Sequence, residues 1–242
     1  MQIMQLSDLN LRRLKPLEGA PNIMVDKKRL RAFKFYNFKT PHEGNILKQR
    51  LELLEQTLGP SFPHTIIQDA LVFEKQKLYC SIMEYIFPQV PLDFLKIPDD
   101  FLRKILLTIS QTIEKLHEQG IIFGDLHFHN VVLDAEFSPH LIDFENCSID
   151  GLHGTHWPSI MAEFVGKTFK CTSNYMTPNF DRICLLVSII HSLTKQNPRN
   201  LSARQLCELS EKSSILNSIR PYILELKKHG MDAEIPYLDQ II

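Results

Sequence analysis

Apolar and polar positions in residues 1–87 alternate in the way that is typical of β-strands, with one helical segment between them. Residues 20–39 read APNIMVDKKRLRAFKFYNFK, in which a polar DKK turn separates two apolar or alternating runs. Residues 64–86 have the same form around the turn EKQK. Both patterns predict a pair of strands joined by a turn.

Two segments show the apolar spacing of amphipathic helices. The first follows Thr40, which we interpret as an N-cap with Glu43 completing a capping box, and it ends at Gly59. The second is capped by Asp99 and ends at Gly120. Its predicted buried stripe consists of Phe101, Ile105, Ile109, Ile113 and Leu116.

The remaining segments divide the chain into two predicted lobes. Three prolines in residues 88–98 mark a boundary. Residues 180–193 are apolar nearly all round, which predicts a buried helix, and residues 201–242 predict short helices. We therefore expect an α+β fold with a strand-rich N-lobe over residues 1–87 and a trimmed helical C-lobe over residues 88–242.

Composition places the chain among ordinary soluble globular proteins. Its 242 residues are 44% hydrophobic and 23% charged, enough for a substantial core. The longest apolar run, residues 183–190, is too short to span a bilayer, and residues 1–17 lack the apolar core of a signal peptide. Five widely spaced cysteines without a CxxC pair indicate reduced thiols in a cytosol rather than a structural zinc site.

The charged residues are unevenly distributed along the chain. Residues 1–60 carry eleven Lys/Arg and six Asp/Glu, whereas residues 121–163 carry seven Asp/Glu and no Lys or Arg. Two solvated surfaces of opposite sign explain most of these charges. The alternative is that a basic part and an acidic, cation-binding part face each other across a ligand that needs both.

Asp125, Asn130 and Asp143 stand at the corners of a predicted hairpin. Residues 131–134 and 139–143 are its strands, so the antiparallel return brings Asp143 near Asn130. A single Asp or Asn at such a corner is usually a turn residue. Together, however, these carboxylate and amide oxygens suit Mg²⁺ shared with phosphate oxygens. Such a site neutralises a transferring phosphoryl group, while a separate carboxylate orients the nucleophile.

The motifs GDLHFHN and LIDFE, which contain these three residues, resemble the catalytic loop and metal-binding motif of the protein-kinase-like superfamily. Protein kinases have HRDxxxxN and DFG at the same spacings. The GDLHxxN variant is more similar to aminoglycoside phosphotransferases and to the kinase domains of lanthionine synthetases. The resemblance implies that Asp125 is the catalytic base and that Asn130 and Asp143 bind Mg²⁺. It also implies that His127 takes the place of the loop lysine near the γ-phosphate.

A phosphate-binding lysine is implied in the predicted N-lobe. RAFKFY places Lys34 where kinases have the strand lysine that binds the α- and β-phosphates of ATP. The implied ion-pair partner on the following helix is Glu52, which stands at the family spacing. Glu55 shares that helix face and is the alternative partner.

Further nucleotide-binding residues are implied on neighbouring strands. SIMEYI resembles the strand that enters the kinase hinge, so backbone groups of Glu84, Tyr85 and Ile86 would meet adenine. The chain has no GxGxxG motif, and Gly19 in LEGAPN is the only glycine in the region of the phosphate loop. The resemblance therefore implies weaker or different binding of the phosphates at Gly19.

Other departures from the family pattern indicate a reduced kinase. Phe123 and Gly124 replace the His and Arg of HRD, so control by a phosphorylated activation loop is not expected. Residues 171–179, CTSNYMTPN, resemble the end of an activation segment, with Asn179 in place of the APE glutamate. Asp181 matches the structural aspartate that begins a buried helix, and the helices after it are too few for a full kinase C-lobe.

The resemblance implies an ATP- and Mg²⁺-dependent kinase with a protein or peptide Ser/Thr acceptor, because residues 171–179 resemble a substrate-docking segment. An activating protein partner is left open, and neither a nucleic-acid partner nor a membrane span is expected. The small size and cytosolic character resemble bacterial kinases, including peptide-modifying enzymes and effectors that act in a host cytosol. Three alternatives remain: an aminoglycoside-type small-molecule kinase, a pseudokinase that serves as a binding module, and a zinc hydrolase built on His127 and His129.

Overall fold

The computed structural model of the chain describes residues 1–38, 40–59, 62–87 and 97–152, together with residues 178, 180–182, 184, 185 and 188. Residues 88–96 of the crossing predicted at 88–98, most of the predicted acceptor-docking segment and the predicted helices in 201–242 lie outside the described residues. No helix in the described part of the chain is long and apolar enough to cross a bilayer.

A six-stranded sheet forms most of the N-terminal half. Its strands are β1 (Gln2–Gln5), β2 (Lys15–Leu17), β3 (Ala20–Asp26), β4 (Arg31–Phe35), β5 (Ala70–Glu74) and β6 (Lys77–Glu84). They are arranged in the order β1-β5-β6-β4-β3-β2. The β3–β4 and β5–β6 pairs are antiparallel, which confirms both predicted strand pairs. β1 was not predicted and pairs in parallel with β5, because four residues are too few to show a period.

The first helix, α1 (Pro41–Leu58), has the ends that its sequence predicts. The Thr40 hydroxyl accepts a hydrogen bond from the Glu43 N–H at 3.5 Å, and Gly59 follows the helix with φ +70°. The helix packs an apolar stripe beneath the sheet, and one charged residue interrupts that stripe. Its buried residues are Gly44, Leu47, Arg50, Leu51 and Leu54.

The second helix, α2 (Asp99–Glu118), differs from the prediction at its first turn. Its N-cap is Pro98 rather than Asp99, which is the first helical residue. Phe101 is 46% exposed and its ring lies 5.3 Å from that of Phe137, whereas Leu102 is fully buried. Leu102 lies three residues before the buried Ile105, so it shares that helix face and continues the buried stripe. Phe101 lies one residue away, which turns it about 100° around the helix from Leu102.

A short hairpin carries the predicted site residues at its open end. β7 (Val131–Leu133) and β8 (Pro139–Leu141) are antiparallel, which confirms the predicted hairpin. Asp134 holds the turn between them, because its carboxylate accepts hydrogen bonds from the N–H groups of Glu136 and Ser138 and lies 3.0 Å from His140 Nε2. The opposite end of the hairpin is therefore held in register by contacts away from the site.

Replacing Asp134 with alanine is expected to destabilise the fold by about 1 kcal/mol at pH 7 through the lost turn hydrogen bonds. Burial alone raises the pKa of Asp134, but the hydrogen bond from His140, followed by that from Ser138, outweighs it and leaves the pKa below its usual value. A lowered carboxyl pKa contributes stability above the unfolded value, about 3.9, and this is lost as the pH falls through the folded value. The difference in the free energy of urea unfolding between wild type and variant should therefore become smaller below about pH 4. A difference as large there as at pH 7 would contradict this.

Candidate active site

Two loops of the candidate site are joined by backbone hydrogen bonds. Ile122 precedes Asp125 and exchanges two such bonds with Ser148, which follows Asp143: Ile122 N donates to Ser148 O at 3.0 Å, and Ser148 N donates to Ile122 O at 2.8 Å. These two bonds join the loop that carries Asp125 to the loop that carries Asp143.

Asp181 fixes the start of the first loop. Its carboxylate is fully buried and accepts hydrogen bonds from the backbone N–H groups of Phe123 and Gly124, both at 2.8 Å. A ring nitrogen of His117, on α2, lies 2.9 Å from the same carboxylate. A buried carboxylate requires hydrogen-bond donors. Because two of the donors to Asp181 are backbone N–H groups, the backbone immediately before Asp125 is fixed.

The aromatic rings of Phe123 and Phe144 connect the two loops below the site. Both are fully buried, and their centroids lie 4.9 Å apart in an edge-to-face arrangement. Phe123 stands where the HRD pattern has histidine. Ring packing therefore makes the contact between the loops at this position.

Asp125 has one engaged and one unengaged carboxylate oxygen. Asn130 Nδ2 donates to Asp125 Oδ2 at 3.2 Å and to the Asp125 carbonyl at 2.9 Å. Asp125 Oδ1 is buried and has no hydrogen-bond partner among the described residues. Burial, followed by the nearby charge of Asp143, raises the pKa of Asp125 to about 6. His127 Nε2, 3.5 Å away, is the ring nitrogen that faces this oxygen.

Asn130 and Asp143 lie side by side as the hairpin spacing predicts. The Ile142 N–H donates to the Asn130 carbonyl at 3.0 Å, which continues the pairing of β7 with β8 to the residue before Asp143. Asp143 then adopts a left-handed conformation, with φ +66°, at the start of a 3₁₀ turn over residues 144–146. Aspartate is one of the few side chains that enter this region readily, which favours it at such a corner.

Lys34 connects the sheet to the Asp143 loop. Its Nζ lies 2.9 and 2.7 Å from the two carboxylate oxygens of Asp143 and 3.0 Å from Glu145 Oε2. Burial lowers the pKa of Lys34, but attraction to Glu145 and then to Asp143 outweighs it, so the pKa is raised. Lys34 is therefore a fixed ammonium group at the centre of the site.

The predicted ion pair between Lys34 and a carboxylate of α1 is wrong in this structure. Glu52 is instead 3.7 Å from Lys48, one helical turn earlier on the same exposed flank. Glu55, the alternative, contacts the N-terminal amine of Met1. The orientation of α1 is the reason. Its buried face carries leucines and Arg50, and neither Glu52 nor Glu55 lies on that face.

Glu145 forms an ion pair with Lys34, which was predicted for a carboxylate of α1. Besides Lys34, it accepts a hydrogen bond from the Tyr36 hydroxyl, and its backbone carbonyl accepts one from Arg50 Nη1. Burial, followed by the charge of Asp143, raises the pKa of Glu145 to about 7, although Lys34 opposes the shift. Tyr36 and Arg50 were not predicted as site residues. The available signal was a charged residue, Arg50, within the apolar stripe of α1.

His127 is a neutral hydrogen-bonding group. Its Nδ1 accepts from the His129 N–H at 3.2 Å, which leaves the ring proton on Nε2, 3.5 Å from Asp125 Oδ1. Burial, followed by the charge of His129, lowers the pKa of His127 to about 4. His127 therefore lacks at neutral pH the positive charge of the lysine whose place it takes, and it presents a single N–H to the site.

A cluster of buried apolar side chains packs between the sheet and the hairpin, next to the end of β6. Its buried members are Val25, Ala32, Ile66, Met83 and Tyr85, with Leu17, Ile23, Ile86, Val132 and Ile142 packed around them. They come from the sheet, from the chain before β5 and after β6, and from the hairpin with the residue that follows it.

Two of the predicted nucleotide-contacting residues, Tyr85 and Ile86, belong to this cluster. The Tyr85 N–H donates to the Leu30 carbonyl at 2.9 Å, so it is engaged within the protein. Gly19 lies in the turn between β2 and β3, with φ +77°. A single glycine therefore makes the turn for which kinases use several.

The donor set of the site fits a hard divalent cation. Asp125, Asp143 and Glu145 surround one ammonium group, Lys34, so their ionised forms leave a surplus of negative charge. Among the described residues no three His, Cys, Asp or Glu side chains are arranged to hold a metal by themselves. A carboxylate and an amide, Asp143 and Asn130, instead fit Mg²⁺ that completes its shell with phosphate oxygens and water.

Comparisons with known proteins relate the chain to protein kinases. The model of the protein kinase domain family matches residues 23–181. A "Probable serine/threonine-protein kinase PBL21" of Arabidopsis thaliana is 27% identical over 136 residues, 52% of this chain and 34% of that protein. A "Probable inactive leucine-rich repeat receptor kinase XIAO" of Oryza sativa subsp. japonica is 42% identical over 40 residues, 16% of this chain and 4% of that protein. The chain thus covers about a third or less of each relative. With most of its length matched, it belongs to the protein kinase domain family.

Proposed function

We propose that the chain is an ATP- and Mg²⁺-dependent phosphotransferase that acts on Ser/Thr hydroxyls of a protein or peptide. The observation that carries this proposal is the fixed Asp125 carboxylate: Asn130 binds its Oδ2, Asp181 anchors the preceding backbone, and its Oδ1 makes no hydrogen bond to the described residues. A carboxylate with one oxygen left without a hydrogen bond can accept one from an incoming hydroxyl and orient it for attack.

The other residues take complementary roles in this proposal. Adenine packs beside the end of β6, where the Glu84 carbonyl and the Ile86 N–H form hydrogen bonds with it. Lys34 binds the α- and β-phosphates, and Asp143 with Asn130 holds the metal. Bound Mg²⁺ supplies neutralisation of the charge that develops on the phosphate oxygens. His127 donates its Nε2–H to the transferred group.

The acceptor class is supported by the protein kinase family membership and by the name of the Arabidopsis relative. Residues 1–87 then form the nucleotide-binding lobe and residues 88–242 the acceptor-binding lobe. Cys80, Cys147 and Cys184 are free and buried, which supports a reducing compartment such as the cytosol as the place of action.

Replacing Asp125 with asparagine tests this function directly. Transfer from γ-labelled ATP to Ser/Thr peptide libraries and model proteins should fall by about 10²- to 10⁴-fold, because the proton-accepting oxygen is lost. ATP affinity should change little, because asparagine keeps the size of the side chain and the proposed phosphate ligand is Lys34. The control is Asp150→Asn, at an exposed aspartate, which should retain full transfer. Transfer that survives in Asp125→Asn, or wild type that binds ATP without any transfer, contradicts the proposal.

A nucleotide-binding pseudokinase is the second candidate. It is favoured by the single glycine in the β2–β3 turn and by the rice relative, whose name describes it as probably inactive. The same assay separates the two functions, because a pseudokinase binds ATP and transfers nothing to peptides, proteins or small aminoglycosides. Transfer to aminoglycosides alone would instead identify a small-molecule kinase.

A further inference from the structure

Both carboxylate oxygens of Glu145 are bound by side chains from the end of β4, one within the strand and one on the residue that follows it. Oε2 lies 3.0 Å from Lys34 Nζ, and Oε1 accepts from the Tyr36 hydroxyl. The Tyr36 hydroxyl is itself 2.7 Å from Ser81 Oγ on β6. The Glu145 backbone is fixed separately, by Arg50 of α1. Glu145 is therefore oriented by contacts from the sheet and from the helix.

The carboxylate of Asp143 is held differently. In the part of the chain that the structure describes, Lys34 is the side chain that donates to it, at 2.9 and 2.7 Å. A divalent cation on Asp143 occupies the same oxygens and repels the ammonium group, because both are cations. When the metal binds, Lys34 must keep another anionic partner to stay in place.

We propose that Glu145, and not a carboxylate of α1, is the positioning residue that keeps Lys34 directed at the nucleotide phosphates while Asp143 binds the metal. This inference rests on the proposed nucleotide-dependent function. It assigns to a residue two positions after Asp143 the role that the sequence analysis gave to Glu52. Lys34 is then placed by the loop after β8, so its ion pair forms without any rearrangement of α1.

The test is ATP binding measured by calorimetry with Mg²⁺ and, separately, with EDTA. Glu145→Gln keeps the size of the side chain and removes its charge. It should weaken ATP binding about 10- to 100-fold in both conditions, because Lys34 contacts the phosphates directly. Asp143→Asn should weaken binding chiefly in Mg²⁺. A loss for Glu145→Gln that appears only in Mg²⁺ would make Glu145 a metal ligand and overturn the proposal.

A double-mutant cycle separates positioning from a general structural role. In a Lys34→Met background, Glu145→Gln should cause no further loss of ATP affinity, because the residue that it positions is gone. Tyr36→Phe should give a smaller loss, of a few-fold, that also disappears in that background. Undiminished losses in the Lys34→Met background would overturn the proposal.

Glu52→Gln is the matched control on α1, and its ATP affinity should stay within about twofold of wild type because its partner is Lys48. A loss as large as that of Glu145→Gln would return the role to the helix. Thermal melts check folding, and Tyr36→Phe carries the cycle if Glu145→Gln does not fold. These binding results do not depend on transfer. Failure of the proposed function, seen as binding without transfer, is therefore distinguishable from failure of this inference.

Discussion

Replacing Asp143 with asparagine is expected to reduce phosphoryl transfer by at least about 10³-fold, the largest catalytic effect that we expect from a single substitution. Asp143 is the carboxylate beside Asn130, and an amide in its place is a poor ligand for Mg²⁺. Asparagine keeps the shape of the side chain and tolerates the left-handed backbone at φ +66°, so the loop should stay intact. The measurement is transfer from labelled ATP over a range of Mg²⁺ concentrations.

Stability should change far less than activity in this variant. Burial raises the pKa values of both Asp125 and Glu145, and the charge of Asp143 is the next largest cause, so three carboxylates crowd one ammonium group. Removing that charge relieves the repulsion, while Glu145 still pairs with Lys34. Urea unfolding should therefore show stability within about 1 kcal/mol of wild type. Transfer within tenfold of wild type at saturating Mg²⁺ would show that Asp143 is not the principal ligand. Asp150→Asn is again the control, as an exposed aspartate with positive φ.

Replacing Asp181 with alanine is expected to destabilise the protein by roughly 3–5 kcal/mol, the largest stability effect among these substitutions. The Asp181 carboxylate is fully buried and receives two backbone N–H groups, each at 2.8 Å, together with a ring nitrogen of His117 at 2.9 Å. Alanine leaves these buried groups without their partner, and each costs about 1–3 kcal/mol. Urea unfolding followed by circular dichroism measures the change.

Two variants calibrate the Asp181 result. Asp181→Asn keeps one acceptor oxygen and should give an intermediate loss. Glu114→Gln removes the partner of Arg182, an ion pair of 2.7 Å whose glutamate is 37% exposed, and should cost only about 1 kcal/mol. If Asp181→Ala were no worse than Glu114→Gln, the carboxylate would not be the anchor of the loop that precedes Asp125.

Local sequence was sufficient for several elements and for part of the site. The ends of α1 follow from Thr40 and Gly59, because capping depends on groups within one turn. Asn130 and Asp143 could be placed together because a hairpin has a fixed return geometry. At the first turn of α2 the same reasoning was wrong by one residue, since Phe101 and Leu102 are both apolar and only packing selects between them.

The partner of Lys34 could not be predicted in this way. Lys34 and Asp143 are 109 residues apart, and Glu145 lies at a similar separation from Tyr36. The spacing in protein kinases favoured Glu52, which lies on α1, the helix that follows the strand of Lys34. That spacing fixes the position of Glu52 along α1 but not which face of α1 meets the sheet, and the buried face carries Arg50 instead.

The sequence by itself determined the strand pairs, the limits of α1 and the proximity of Asn130 to Asp143, because each depends on neighbours within a turn or a hairpin. Tertiary structure alone decided which carboxylate Lys34 contacts and which oxygen of Asp125 is left unengaged. It also decided that His127 is neutral and that β1 completes the sheet. These features depend on how distant segments pack and on how much water that packing excludes, and neither is encoded in the pattern of any one segment.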